Sequence, residues 1–370
     1  MAHSERNLTR REALALIGAG VTAAASAAGA APAFPKGAII RTVLRDYAPE
    51  DLAGGATLFH EHMSLTPDFM PRWNAASFAA RKQNGDVPPG ANPPQAPPNA
   101  PGPYFMQDPE VMTEELKTAK SEGLACIVDG GHADMGRDIN FLKQISANSG
   151  LPIVAGGGFY SQPFYSKEIE TWSEEQIFRA LLKQVDTDPI GVFGEIGSWD
   201  YITPTERKVF RAIGKAQVAT GLGVFTHTGI PGKSAIEQLD LLEDQGVKPD
   251  RVVIGHLGNL VDTRVAIQKE ICRRGAFIGF DRQGGRGDVQ QVPMVMALLE
   301  AGYAASLMFA SDLSSAAQIK RNKGEGYAKT YTVFVPKLKA AGASDDVIHT
   351  IMVDNPRRFL AFVPKKPRKA

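Results

Sequence analysis

Eight short apolar, β-rich runs recur along this chain, and segments of helical periodicity separate most of them. The runs are Thr57–His60, Leu124–Asp129, Leu151–Ala155, Gly191–Ile196, Gly223–His227, Arg251–His256, Ala276–Asp281 and Leu307–Ser311. Between them lie stretches such as "SEEQIFRALLKQVD" and "TPTERKVFRAIGKAQVATG", with apolar residues at helical spacing, Ser or Thr near their starts and Gly at several ends. Strands that are apolar throughout belong to a parallel sheet covered by helices, because both of their faces are buried. Eight strand–helix units in about 300 residues predict closure into a parallel eight-stranded (β/α)8 TIM barrel rather than an open doubly wound sheet.

The residues that end these runs sharpen that expectation. His60 and His62 stand in "TLFHEH", Glu195 in "GVFGEIG", His227 in "GVFTHT", His256 in "VVIGH" and Asp312 in "LMFASD". A parallel barrel gathers the C-terminal ends of its strands on one face, where its chemistry sits, so residues far apart in sequence can share one site. An open sheet would not bring the first and eighth strand ends together. On a strand, residues i and i+2 point to the same side about 6.5–7 Å apart, so His60 and His62 can grip one ion. Glu61 then points away, into the layer between strands and helices. Two residues apart, the histidines do not match the helical H-E-x-x-H arrangement. An unpaired Asp312 carboxylate in a barrel mouth would be costly to desolvate, and a nearby cation removes that cost.

Composition narrows the partners. The 41 basic and 40 acidic residues leave a net charge of +1, which gives no footprint for nucleic acid or an acidic membrane surface. A small-molecule substrate is the expected partner. The two cysteines, Cys126 and Cys272, lie in apolar stretches and predict buried free thiols. Residues 1–33 read as a signal peptide of twin-arginine type, with paired Arg10 and Arg11, an Ala-rich apolar segment, and small residues at Ala31 and Ala33. That places the mature protein in the periplasm or outside the cell, with no membrane span after signal removal. One (β/α)8 domain would occupy residues 34–362, with a basic tail over 363–370. The Pro-rich insertion at 84–103 cannot be a helix or an inner strand. It is expected between the first strand and the first long helix, rising over the functional face either as a lid or as a solvated insertion.

The ordered set "TLFHEHM", "IVDGGHADMGRD", "GGGFY", "GVFGEIG", "VFTHTG", "VVIGHLG", "FDRQGG", "FASD" and "IMVDNPRRFL" resembles the phosphotriesterase-like family of the amidohydrolase superfamily, from about Ile40 to Phe362. The resemblance implies two divalent metal ions. His60, His62 and Asp312 would hold the buried ion, and His227 and His256 the more exposed one. The best-known members bridge the ions with a carboxylated lysine on the fourth strand. Here that position reads Glu195, as in the phosphotriesterase-related branch, so the bridging carboxylate needs no carbon dioxide. Imidazole and carboxylate ligands suit zinc, and manganese or cobalt also fit. A hydroxide shared by two cations, with Asp312 as proton acceptor, would attack a carbonyl or phosphoryl centre. The expected activity is hydrolysis of an ester, lactone or amide, with phosphotriester (aryldialkylphosphatase-like) cleavage in the same class. The alternative is a non-catalytic, metal-containing binding protein on the same barrel. Relatives are commonly dimers, which makes a homodimer the expected assembly.

Other residues keep two readings. Arg282, after the seventh strand, either orients substrate or forms a structural ion pair. Tyr160, after the third, either lines the pocket or packs. His132 reads as a loop residue, His349 as part of an outer helix, and Gly156–Gly158 as a tight turn.

Overall fold

The computed structural model describes residues 32–93, 104–229 and 232–365. Most of the export segment, the second half of the Pro-rich insertion and the end of the basic tail lie outside the described residues. A two-residue antiparallel pair, β1 (Ile40–Arg41) and β2 (Asp46–Tyr47), precedes eight parallel strands. These are β3 (Ala56–Glu61), β4 (Leu124–Asp129), β5 (Ile153–Gly157), β6 (Ile190–Ser198), β7 (Gly223–Thr228), β8 (Val252–Ile254), β9 (Phe277–Phe280) and β10 (Leu307–Phe309). Each pairs with the next in chain order, and all eight predicted strands are present as a (β/α)8 barrel.

Glu61 draws together the two ends of the sheet. Its Oε1 accepts from the Ser311 amide (2.6 Å) and its Oε2 from the Leu313 amide (2.9 Å), while the Asp312 amide donates to the His60 carbonyl (3.2 Å). Beyond the short β10 those amides would otherwise be buried without ladder partners, so the carboxylate replaces a missing strand. Strand alternation turns Glu61 away from the neighbouring histidines, as expected from the His-x-His spacing. Burial pushes its carboxyl up to about 7 despite the two amide hydrogen bonds.

The strands are buried along almost their whole length, and Phe59, Phe193, Phe225, Phe280 and Phe309 fill the core. At the N-terminal end of the barrel, Ile39 and Phe362 exchange two backbone hydrogen bonds (2.8 and 3.0 Å), and the Val43 amide donates to Ile153 (2.8 Å). The two ends of the described chain thus close the base.

Two local expectations need correction. Gly156 and Gly157 lie within β5, not in a tight turn. A Cβ on Gly156 would collide with the Gly194 carbonyl of the adjacent strand, so glycine is required by close strand approach. A 15-residue helix, Phe69–Gln83, also stands before the Pro-rich insertion, where no long helix was expected. Its Pro71 sits in the first turn, where the amide has no intrahelical acceptor to lose. Cys126 and Cys272 are free and buried, as their apolar surroundings predicted. Among the described residues, no helix is long and apolar enough to cross a membrane.

Candidate metal centre

The barrel brings all six candidate ligands into its C-terminal mouth. His60 is in β3 and His62 one residue beyond it; Glu195 lies within β6 and His227 within β7. His256 and Asp312 follow β8 and β10 with left-handed backbones, φ 60° and 47°. Non-glycine residues rarely adopt that conformation, and the surrounding packing must hold it. The donor atoms of His60, His62 and Asp312 lie within 4.8 Å of one another, and so do those of Glu195, His227 and His256.

Glu195 stands between the two groups. Its Oε1 is 2.6 Å from His227 Nδ1 and 2.9 Å from His256 Nε2. Its Oε2 is 3.4 Å from His60 Nε2 and 3.6 Å from His62 Nε2. Asp312 Oδ1 lies 3.2 Å from His62 Nε2 and 3.8 Å from His60 Nε2. One carboxylate oxygen therefore faces each histidine pair.

Asp281 orients two of these histidines. Its Oδ2 lies 3.0 Å from His60 Nδ1 and its Oδ1 2.8 Å from His256 Nδ1, and it also accepts from the His256 amide. With each Nδ1–H donated to Asp281, the Nε2 lone pairs of both rings converge on the centre. His60 Nε2 is buried without a hydrogen-bond partner. Converging imidazole lone pairs, an orphaned buried nitrogen and two ionised carboxylates fit divalent cations held by nitrogen and oxygen donors.

The electrostatics follow from burial and crowding. Burial alone would lower His60, but the Glu195 carboxylate, aided by Asp281 and Asp312, holds it well above its usual value. Burial likewise opposes ionisation of Glu195, yet His60 and His227 keep it well below the ordinary carboxylate range. The Arg282 guanidinium and the nearby histidines do the same for Asp312 against its burial. His227 is pushed down to about 4, chiefly by burial.

Of the weaker candidates, Arg282 donates from Nε to Asp312 Oδ2 (2.9 Å) and also lines the cavity above the centre, combining both readings. Its guanidinium lies 5.5 Å over the Trp73 ring. Tyr160 also combines two roles. Its hydroxyl lies 3.0 Å from His227 Nδ1 and accepts from Trp73 Nε1 (2.9 Å), while its ring packs on Phe69 and Phe164. His132 is buried in a loop outside both ligand groups, with Nδ1 3.5 Å from Asp134. His349 ends the exposed-side helix Asp345–His349.

The cavity over the centre measures about 360 Å³. Trp73, Gln283 and Lys329 line it beside the candidate ligands, and the sequence reading passed over all three. Asp281 was also missed as a functional group, though it ends the seventh run just as the ligands end theirs.

The model of the family described as "Phosphotriesterase family" matches residues 40–360. The N-acetyltaurine hydrolase of Pongo abelii is 27% identical over 363 residues, covering 87% of this chain and 98% of that protein. The phosphotriesterase homology protein of Escherichia coli (strain K12) is 29% identical over 258 residues, covering 67% of this chain and 87% of that protein. Its solved structure, complexed with phosphate in the active site, superposes with a TM-score of 0.70 at 25% identity, covering 85% of this chain and all of that one. A resiniferatoxin-binding protein from Rhodobacter sphaeroides superposes with a TM-score of 0.72 at 25% identity, covering 87% and 94%. Matched over nearly the whole barrel, and surrounded by hydrolase relatives, the chain is a metal-dependent hydrolase belonging to the phosphotriesterase family.

Proposed function

We propose that this protein hydrolyses the amide bond of a small N-acyl compound, with carboxyl esters and lactones as neighbouring substrates, at a centre for two divalent cations. The observation that carries the reading is Glu195, one oxygen directed at each histidine pair. The amide preference is supported by the N-acetyltaurine hydrolases among the relatives. His60, His62 and Asp312 would hold one cation, His227 and His256 the other, with Glu195 between them; zinc suits this donor set best. Cations bound there would supply Lewis acidity and a hydroxide nucleophile at neutral pH.

The chain's own groups do the rest. Asp312, kept ionised by Arg282 and the histidines, accepts the nucleophile's proton and passes it to the leaving nitrogen. Burial raises the Tyr160 hydroxyl well above its usual value, so it stays protonated and available to donate toward a carbonyl oxygen. Trp73 and Phe69 wall the cavity against water.

A second reading, a binding protein without turnover, draws on the solved relative named for binding resiniferatoxin. Elemental analysis of the purified protein combined with amide, ester, lactone and phosphotriester panels separates the two. Two equivalents of metal with amide turnover support the hydrolase; stoichiometric metal with no turnover on any panel supports the binder. We also propose export by the twin-arginine route, from the paired Arg10 and Arg11 outside the described residues. Changing both to Lys should retain the protein in the cytoplasm, and unaltered periplasmic recovery counts against it.

A further inference from the structure

One wall of the same cavity carries Gln283, whose side-chain amide has no partner among the described residues, and the Lys329 ammonium, which makes no salt bridge among them. Lys329 immediately precedes a π-helical turn, Thr330–Phe334, and is only 7% exposed. Among the described residues no carboxylate comes within salt-bridge distance of its ammonium, although it lines the cavity. The stem is given room by Gly284 (φ +78°), where a Cβ would stand 2.9 Å from Lys329 Cγ. Beside it Gln283 is 1% exposed, and neither its Nε2 nor its Oε1 has a hydrogen-bond partner. Arg286 adds an exposed guanidinium at the rim.

A buried amide without partners is costly unless a ligand completes it, and burial likewise works against the charge on Lys329. Of the carboxylates near enough to attract Lys329, Glu61 is committed to the Ser311 and Leu313 amides, Asp288 to Lys337 and Asp312 to Arg282, so none pairs directly with its ammonium. Cation-to-oxyanion hydrogen bonds are the stronger kind and suit a carboxylate or sulfonate.

We infer that Lys329 and Gln283 form a subsite for an anionic tail, carboxylate or sulfonate, on the substrate's amine side. This rests on the amide-hydrolase reading and adds a substrate class to it: N-acylated amino acids or aminosulfonates rather than neutral amides.

The test uses the metal-loaded protein and three probes that differ at one end: N-acetyltaurine, N-acetyl-β-alanine and neutral N-propylacetamide. The readout is the ratio of kcat/KM for the anionic probes to that for the neutral one. Lys329→Met should lower this ratio about 10- to 100-fold, the scale of one charge-assisted hydrogen bond, mainly through KM. Lys329→Arg should recover most of it, and Gln283→Leu should lower it less. If the anionic and neutral probes fall together in Lys329→Met, the lysine is structural and the subsite is overturned, while the hydrolase reading stands. Calorimetry with ethanesulfonate gives an independent readout. If no probe is turned over yet ethanesulfonate binds the natural protein and not Lys329→Met, the subsite stands and the hydrolase reading fails. Equal ethanesulfonate binding by both, or by neither, overturns the subsite.

Discussion

The two ends of the barrel strands are built on opposite rules. At the base, polar groups are satisfied by direct hydrogen bonds to the backbone and the packing side chains are mostly apolar. Ile39 and Phe362 form a bridge, Asn355 Nδ2 donates to the Leu307 and Ala304 carbonyls (2.7 and 2.8 Å), and Phe359 packs against Gly223 at the start of β7. At the mouth, buried histidines and carboxylates face one another, two ligand candidates sit in left-handed backbone conformations, and His60 Nε2 lacks a partner. The same strands pass through both layers. Their lower halves supply cohesion, and their upper halves hold groups in arrangements that cohesion alone would not select.

If that division is real, substitutions at the two ends should fail differently. The largest effect is expected at Glu195. Glu195→Gln should lose bound metal and bring turnover to background, while the melting curve stays cooperative; unchanged metal content by elemental analysis would break the comparison at its centre. Asp312→Asn should lower kcat about 10²- to 10⁴-fold with a smaller change in KM, as expected for loss of a general base. Steady-state kinetics on one amide substrate decide this, and a natural kcat removes the proton-transfer role. At the base the pattern should invert. Phe359→Ala should cost about 3–5 kcal/mol of stability yet leave kcat per folded molecule intact; denaturant titration paired with activity checks both halves. Asp281→Asn tests the support behind His60 and His256 at the mouth and should weaken metal affinity about 10- to 100-fold with little loss of stability. Competition with a chelator measures the affinity. The smallest effect concerns Cys126 and Cys272, whose thiols burial pushes up to about 12. Neither should react with a thiol reagent at pH 8 until the protein is unfolded.

Much of the mouth was legible because strand geometry is local. A period of two residues places His60 and His62 together and sends Glu61 the other way, and both features are found. Runs that are apolar throughout signalled the parallel strands, although β8 and β10 are only three residues long and stop before their ligand candidates. The helix Phe69–Gln83 was obscured by Pro71 and by the proline-rich stretch after it, although Phe69, Trp73 and Ser77 mark its inner face. Asp281 was legible as a strand-end carboxylate but not as a partner to His60, because that contact spans 221 positions.

By itself the sequence determined the barrel, its closed order and the chemical types gathered at its mouth, since each depends on short-range periodicity and on where a run ends. Only the tertiary structure decided how those types are used. The division of Glu195 between two histidine pairs, the pairing of Arg282 with Asp312, and the placing of Lys329 and an unpartnered Gln283 in one cavity wall are distances across the barrel. Such distances come from strand register and loop packing, which no local pattern of residues encodes.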